Sequence, residues 1–255
     1  MNSNGQRVGL WRSICEWIAL LAVFAVIWQF SVTLFHVKPY LLPKFTDVMT
    51  SLWQNRTLIL SQGIVTAWEI ALGYICAVIG GIAISLAIFL WPAAERLLYP
   101  IVVVLQGLPK IALAPLMIIW VGYGLTSKVL MAFLFGFFPI VISTLGGLSG
   151  TPQNLVEHFR AIGAGPWATF FRLRLPSALP AILDGCKTAM PLCVIGAIVG
   201  EFVGSEKGLG YLILDATAQS RTDMLFAALV AISILAGLFY WLVELLAARV
   251  WWRAY

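Results

Sequence analysis

Glu157, Arg160 and Gly163 stand close together in a polar stretch of an otherwise apolar chain, and nine residues after the glycine come Leu173, Leu175 and Pro176. A carboxylate and a guanidinium three residues apart suit charge pairing. Paired with each other on a solvated helix face they are worth roughly a few tenths of a kcal/mol; offered to a partner, they make a docking knob. A second set lies inside apolar runs: Lys110, which follows Gln106 and Pro109, and the carboxylates Glu69 and Glu201. An ionisable group at the centre of a membrane helix costs at least ~2.5 kcal/mol on insertion scales, so each is a candidate functional residue. Lys110 follows a proline that frees backbone carbonyls. Its ammonium suits an anion on a solute path, such as a sulfonate, nitrate or carboxylate. The alternative is a lysine that snorkels or pairs, with Glu69 and Glu201 as candidate partners.

The elements that must position these groups follow from composition. The 255 residues are 61% hydrophobic and only 11% charged, with a mean hydropathy of +0.95, against about 25% charged in a soluble domain. This is an integral membrane protein. A span needs about 20 apolar residues, and six such windows occur, near 14–36, 64–91, 98–121, 127–148, 187–205 and 223–248. They are too long and unbroken for barrel strands, so the expected fold class is all-α, a polytopic bundle forming a single domain over 1–255. The first window lacks a small-residue cleavage site and reads as a retained anchor. Pro191 and the Gly80-Gly81 pair allow kinks or close helix approach.

Basic residues set the orientation. With the N-terminus inside, Arg7, Arg12, Arg96, Arg160, Arg172, Arg174, Lys187, Arg249 and Arg253 fall on the cytoplasmic side. Lys38, Lys44, Arg56, Lys128, Lys207 and Arg221 fall on the other, nine against six. Both termini and the polar stretch are expected in the cytoplasm, so the net charge of +5 reflects membrane orientation and gives a nucleic-acid partner no support. Cys15, Cys76, Cys186 and Cys193 read as core hydrophobes. His36 and His158 lack partners at metal-ligand spacing, so no metal site is expected.

Between the spans, 37–63 is an outer connection with an amphipathic segment around Phe45–Trp53, 92–97 a short inner turn and 122–128 a short outer one. The long inner connection is 149–186. There Thr151 is the expected N-cap and Pro152 the first-turn proline of a short helix whose apolar residues Leu155, Val156, Phe159 and Ile162 recur at three and four. Gly163 stops it, and a second short helix runs from Trp167 to about Leu173 before Leu175-Pro176 re-enters the membrane.

Glu157, Gly163, Leu175 and Pro176 at these spacings resemble the EAA signature of the membrane-spanning permease subunits of bacterial ABC importers. Here His158 and Phe159 replace the two alanines and Leu173 the isoleucine. Leu42-Pro43, Leu108-Pro109-Lys110, Trp120-Val-Gly122-Tyr-Gly124, Gly200-Glu201-Phe and Lys207-Gly208-Leu-Gly210 resemble the nitrate/sulfonate/taurine branch of that family. The resemblance implies a non-catalytic permease in the inner membrane for a small solute, by preference an anion such as a sulfonate, taurine or nitrate, with thiamine-precursor pyrimidines among the alternatives. It further implies a homodimer, two copies of a cytoplasmic ATPase that grip Glu157 and its neighbours, and a periplasmic or lipid-anchored binding protein. ATP and Mg would bind the ATPase, since this chain has no Gly-x-x-x-x-Gly-Lys-[Ser/Thr] loop. The bulkier His158 and Phe159 imply a cognate ATPase. A carrier without an ATPase is the alternative; it would more often show an inverted repeat. A membrane anchor would not need Gln106 or Lys110 within a span.

Overall fold

The computed structural model describes residues 3–249, and side chains from Glu16 onward except Trp17, Ile18 and Leu21. Arg7, Arg12, Cys15, Trp251, Trp252 and Arg253 therefore lie outside the described side chains. In chain order the helices are α1 (Ser3–Leu34), α2 (Phe45–Gln54), α3 (Arg56–Leu90), α4 (Pro92–Gln106), α5 (Ala114–Val121), α6 (Leu125–Ser149), α7 (Gln153–Ala161), α8 (Pro166–Thr169), α9 (Leu175–Gly204), α10 (Leu209–Ala218) and α11 (Thr222–Arg249). A 3₁₀ turn, Lys110–Leu113, joins α4 to α5, and a π turn, Phe170–Arg174, joins α8 to α9.

Among the described residues, four helical stretches are long and apolar enough to cross a membrane: Arg56–Leu90, Leu125–Ser149, Pro166–Gly204 and Thr222–Arg249. A fifth crossing is the broken pair Pro92–Gln106 and Lys110–Val121, bent by 97°. The expected first span falls in α1, where the described apolar stretch Ala22–Leu34 is too short to cross alone, so five of the six expected crossings are present among the described residues. Exposed Leu20, Phe24, Ile27 and Phe30 on α1, Trp68 and Ile79 on α3, and Leu238 and Trp241 on α11 are what lipid-facing helices require.

Two compact units are present. In one, drawn from Met1–Ile59 and Leu212–Val230, the Trp28 indole donates to the Pro43 carbonyl at 3.1 Å and lies 5.5 Å from the Phe226 ring. The Thr222 hydroxyl donates to the Tyr40 carbonyl at 3.0 Å. The amphipathic segment expected around Phe45–Trp53 is α2, seated by buried Val48 and Ser51.

The other unit, Leu60–Tyr211 with Ala231–Tyr255, is centred on the antiparallel pair α6 and α9. Its core includes Ile70, Ala132, Ile140, Ala178, Met190 and Cys193. Small residues let the backbones touch, the membrane substitute for a hydrophobic driving force. A Cβ on Gly196 would lie 2.6 Å from the Met131 carbonyl oxygen, and one on Gly147 2.8 Å from the Ala181 Cβ.

Three expected boundaries move, each for a reason at a proline. The turn placed at 92–97 is helix, because Pro92 takes the first helical position, where no N–H is needed. Pro152, not Thr151, holds the N-cap position of α7, and the Thr151 hydroxyl donates back to Leu148 at 3.4 Å. The second short helix, expected to end near Leu173, does not end there: from Pro166 the chain is helical without a break to Gly204. Pro176 has no N–H and crowds the preceding turn, and just ahead of it the helix widens so that the Leu175 N–H reaches the Phe170 carbonyl.

Candidate coupling and translocation sites

At one end of the larger unit, α7 is anchored by its own buried Val156 and half-buried Phe159. Glu157 and Arg160 are exposed, as are the apolar Leu155 and Ile162. Glu157 accepts a hydrogen bond from Gln153 one turn earlier, at 3.4 Å, and not from Arg160, the alternative partner weighed above. The helix closes with Gly163 at φ 79°; the Gly163 N–H donates to Arg160 O at 3.0 Å and the Ala164 N–H to Phe159 O at 2.9 Å. This is a Schellman turn, which glycine adopts at little cost.

Beyond the turn, Trp167 stacks on Phe171 at 5.9 Å, both exposed. Phe170 is buried 6.2 Å from Phe89, and the Arg174 guanidinium sits 5.1 Å over the Phe89 ring. The six residues singled out here thus divide. Glu157, Arg160 and Gly163 present themselves at the tip; Leu173 is buried, with Leu175 and Pro176 half-buried in the helix beneath.

Lys110 lies in the bend of the broken crossing, after Pro109 and the end of α4 at Gln106. Its ammonium is 4.7 Å from the Phe138 ring centroid and 5.8 Å from that of Phe135, a cation–π seat. The carboxylates proposed as its partners are engaged elsewhere. Glu69 pairs with Lys128 at 3.0 Å, and Glu201 accepts from the Thr66 hydroxyl at 2.6 Å and the Gly210 N–H at 2.5 Å. Lys128, placed by sequence in an outer loop, is instead in the first turn of α6 and buried.

These groups form one network at the far end of the unit from α7. Gln62 and Thr66 lie on one side of α3 with Glu69. Gln62 accepts from the Gly208 N–H at 2.6 Å, and Thr66 from the Leu209 N–H at 2.8 Å. Lys128 donates to the Ser205 hydroxyl at 2.5 Å, and that hydroxyl donates to the Lys207 carbonyl. Gly208 has φ 109°, and a Cβ on it or on Gly210 would run into the Glu201 carboxylate. Glu69, Lys128, Ser205 and Lys207 also border a cavity of about 550 Å³ that Tyr123 and Phe202 help to line. Sequence reasoning found Glu69 and Glu201 and missed Lys128, Thr66 and Gln62. The available signal was that two buried carboxylates demand donors, and Lys128 is the basic residue that opens an apolar run.

The family model described as "Binding-protein-dependent transport system inner membrane component" matches residues 70–252. A "Probable ABC transporter permease protein" of Haemophilus influenzae is 34% identical over 92% of this chain and 96% of its own. The formylaminopyrimidine transport permease protein ThiX of Halalkalibacterium halodurans is 38% identical over 82% and 84%, and the taurine transport system permease protein TauC of Escherichia coli 30% over 89% and 85%. The fold is shared with a chain of the MetNI methionine ABC transporter in an inward-facing conformation, with a TM-score of 0.66, 20% identity, and coverage of 77% of this chain and 98% of that one. The chain belongs to the binding-protein-dependent transport system inner membrane component family, as a multi-pass permease subunit of an ABC importer.

Proposed function

We propose that two identical copies of this chain line a path for a small solute across a bacterial inner membrane, with both termini and the α7–α8 elbow in the cytoplasm. A periplasmic or lipid-anchored binding protein delivers the solute. Two copies of a cytoplasmic ATPase, which bind ATP and Mg, grip the elbows and drive the change of access. The observation that carries this is α7 itself: a short helix offering an exposed carboxylate and exposed Leu155 and Ile162, closed by a glycine turn. Such a surface fits a groove on a soluble partner. Arg172 and Arg174 just beyond it agree with a cytoplasmic position. Extraction of the tagged subunit in mild detergent should bring down a stoichiometric ATPase that hydrolyses ATP with Mg. A pure permease dimer that transports without any ATPase would favour the carrier alternative.

The solute proposed is an anion of the sulfonate, taurine or nitrate type. Among the described residues no carboxylate lies within ion-pair distance of Lys110, so its charge is available to a passing anion. A flat heteroaromatic solute is the second reading, favoured by the Phe135 and Phe138 rings that α6 sets beside Lys110 and by the formylaminopyrimidine relative. Lys110→Ala should cut taurine or alkanesulfonate uptake about tenfold with the ATPase still bound, the loss of one favourable contact to the anion. Unchanged uptake would make Lys110 a packing residue.

A further inference from the structure

From Pro166 to Gly204 the chain is one helical stretch of 39 residues, roughly 58 Å long at 1.5 Å per residue. One end is the α8 side of the elbow. The other ends in the polar network, where Glu201, three residues before the last of α9, holds the Ser205–Gly210 turn against α3. Three consecutive backbone N–H groups of that turn are each held by a different side chain: Gly208 by Gln62, Leu209 by Thr66 and Gly210 by Glu201. Glycine at 208 and 210 is what lets the backbone approach the buried carboxylate so closely.

We propose that this stretch is a coupling rod and that the Glu201 clamp is its far terminal, opened when nucleotide closes the ATPases on the elbow. Glu201 is then a positioning residue for transport. The physical case is that a helix keyed to α6 along its length transmits axial and rocking displacements with little loss. The clamp is a discrete element, closed with three bonds or open, of the kind that two sites can both bias. Its carboxylate accepts from Thr66 on α3 and from Gly210 in a turn that Gln62 and Thr66 tie to α3, so a displacement of α9 relative to α3 and the turn it holds loads both bonds.

The inference rests on the ATPase-driven reading above, and one experiment separates the two. The permease–ATPase complex in nanodiscs is exposed to ATP, Mg and orthovanadate, and amide exchange is followed at Gly208, Leu209 and Gly210. Trapping should speed exchange at all three by about tenfold or more. Trapped ATPase with unchanged amides would overturn the rod, and absence of any bound ATPase would overturn the reading beneath it and the rod as well. Glu201→Gln offers one acceptor oxygen where the carboxylate offers two. Its resting exchange should already equal the trapped level, and hydrolysis per assembled complex should rise about threefold as the brake is removed. A merely structural Glu201 would lower the yield of complex and leave hydrolysis per complex unchanged, which would also overturn the proposal.

Discussion

Gly163→Pro should reduce ATP-driven uptake to background while the subunit still inserts in the membrane. At φ 79° the native backbone is out of reach of proline, whose ring holds φ near −65°. The substitution also deletes the N–H that donates to Arg160 O, so α7 loses its closure and Glu157 its direction. Nothing lies within 4 Å of a Cβ placed on Gly163, which makes the defect one of backbone conformation and not of crowding. The series is therefore graded. Gly163→Asn, which tolerates a left-handed backbone, should retain most uptake; Gly163→Ala, strained by about 1 kcal/mol, should retain part. The seam between α6 and α9 is formed by other residues, so membrane extraction and gel filtration of Gly163→Pro should match wild type. Uptake by Gly163→Pro at the wild-type rate would remove the elbow from the mechanism.

Lys128→Met should be the most destabilising single change at the far end. Glu69 is fully buried, and its charge partner at 3.0 Å is the Lys128 ammonium. Removing one member of a buried pair leaves an uncompensated charge and costs about 3–5 kcal/mol. Methionine matches the lysine stem in length, so packing against Gly200, whose Cβ would fall 3.0 Å from the Lys128 Cα, is kept. The double variant Glu69→Leu with Lys128→Met should recover most of the loss in detergent thermal melts, since the two paired charges go together while Glu201 keeps its Thr66 and Gly210 donors. A double variant no better than Lys128→Met would mean that the pair is not the unit of stability.

The apolar runs were legible because each is long enough to need only lipid and its own backbone. The same holds for α7, whose three-and-four spacing and terminal glycine are local signals. Lys128 was misplaced because a charge counted by side of membrane carries no information about depth. Its carboxylate partner is 59 positions away in sequence, and that separation is bridged only by the packing of α3 on α6. Lys110 follows a proline that frees backbone carbonyls, and the chain does bend there, but the carboxylates weighed as its partners belong to others; a ring face as a cation's neighbour leaves no charge pattern to read. The second short helix was ended too early because Pro166 and Pro176 look like stops. One begins a helix, and the other is absorbed by a wider turn.

The seam of α6 and α9 sets what can be exchanged between this permease and its relatives. Gly136, Gly147, Gly185 and Gly196 are matched one by one to bulges on the opposite helix, such as Cys193, Ala181 and Ser143. A chimera that imports only one of the two helices brings teeth cut for a different rack. Grafts made as a cognate pair should assemble.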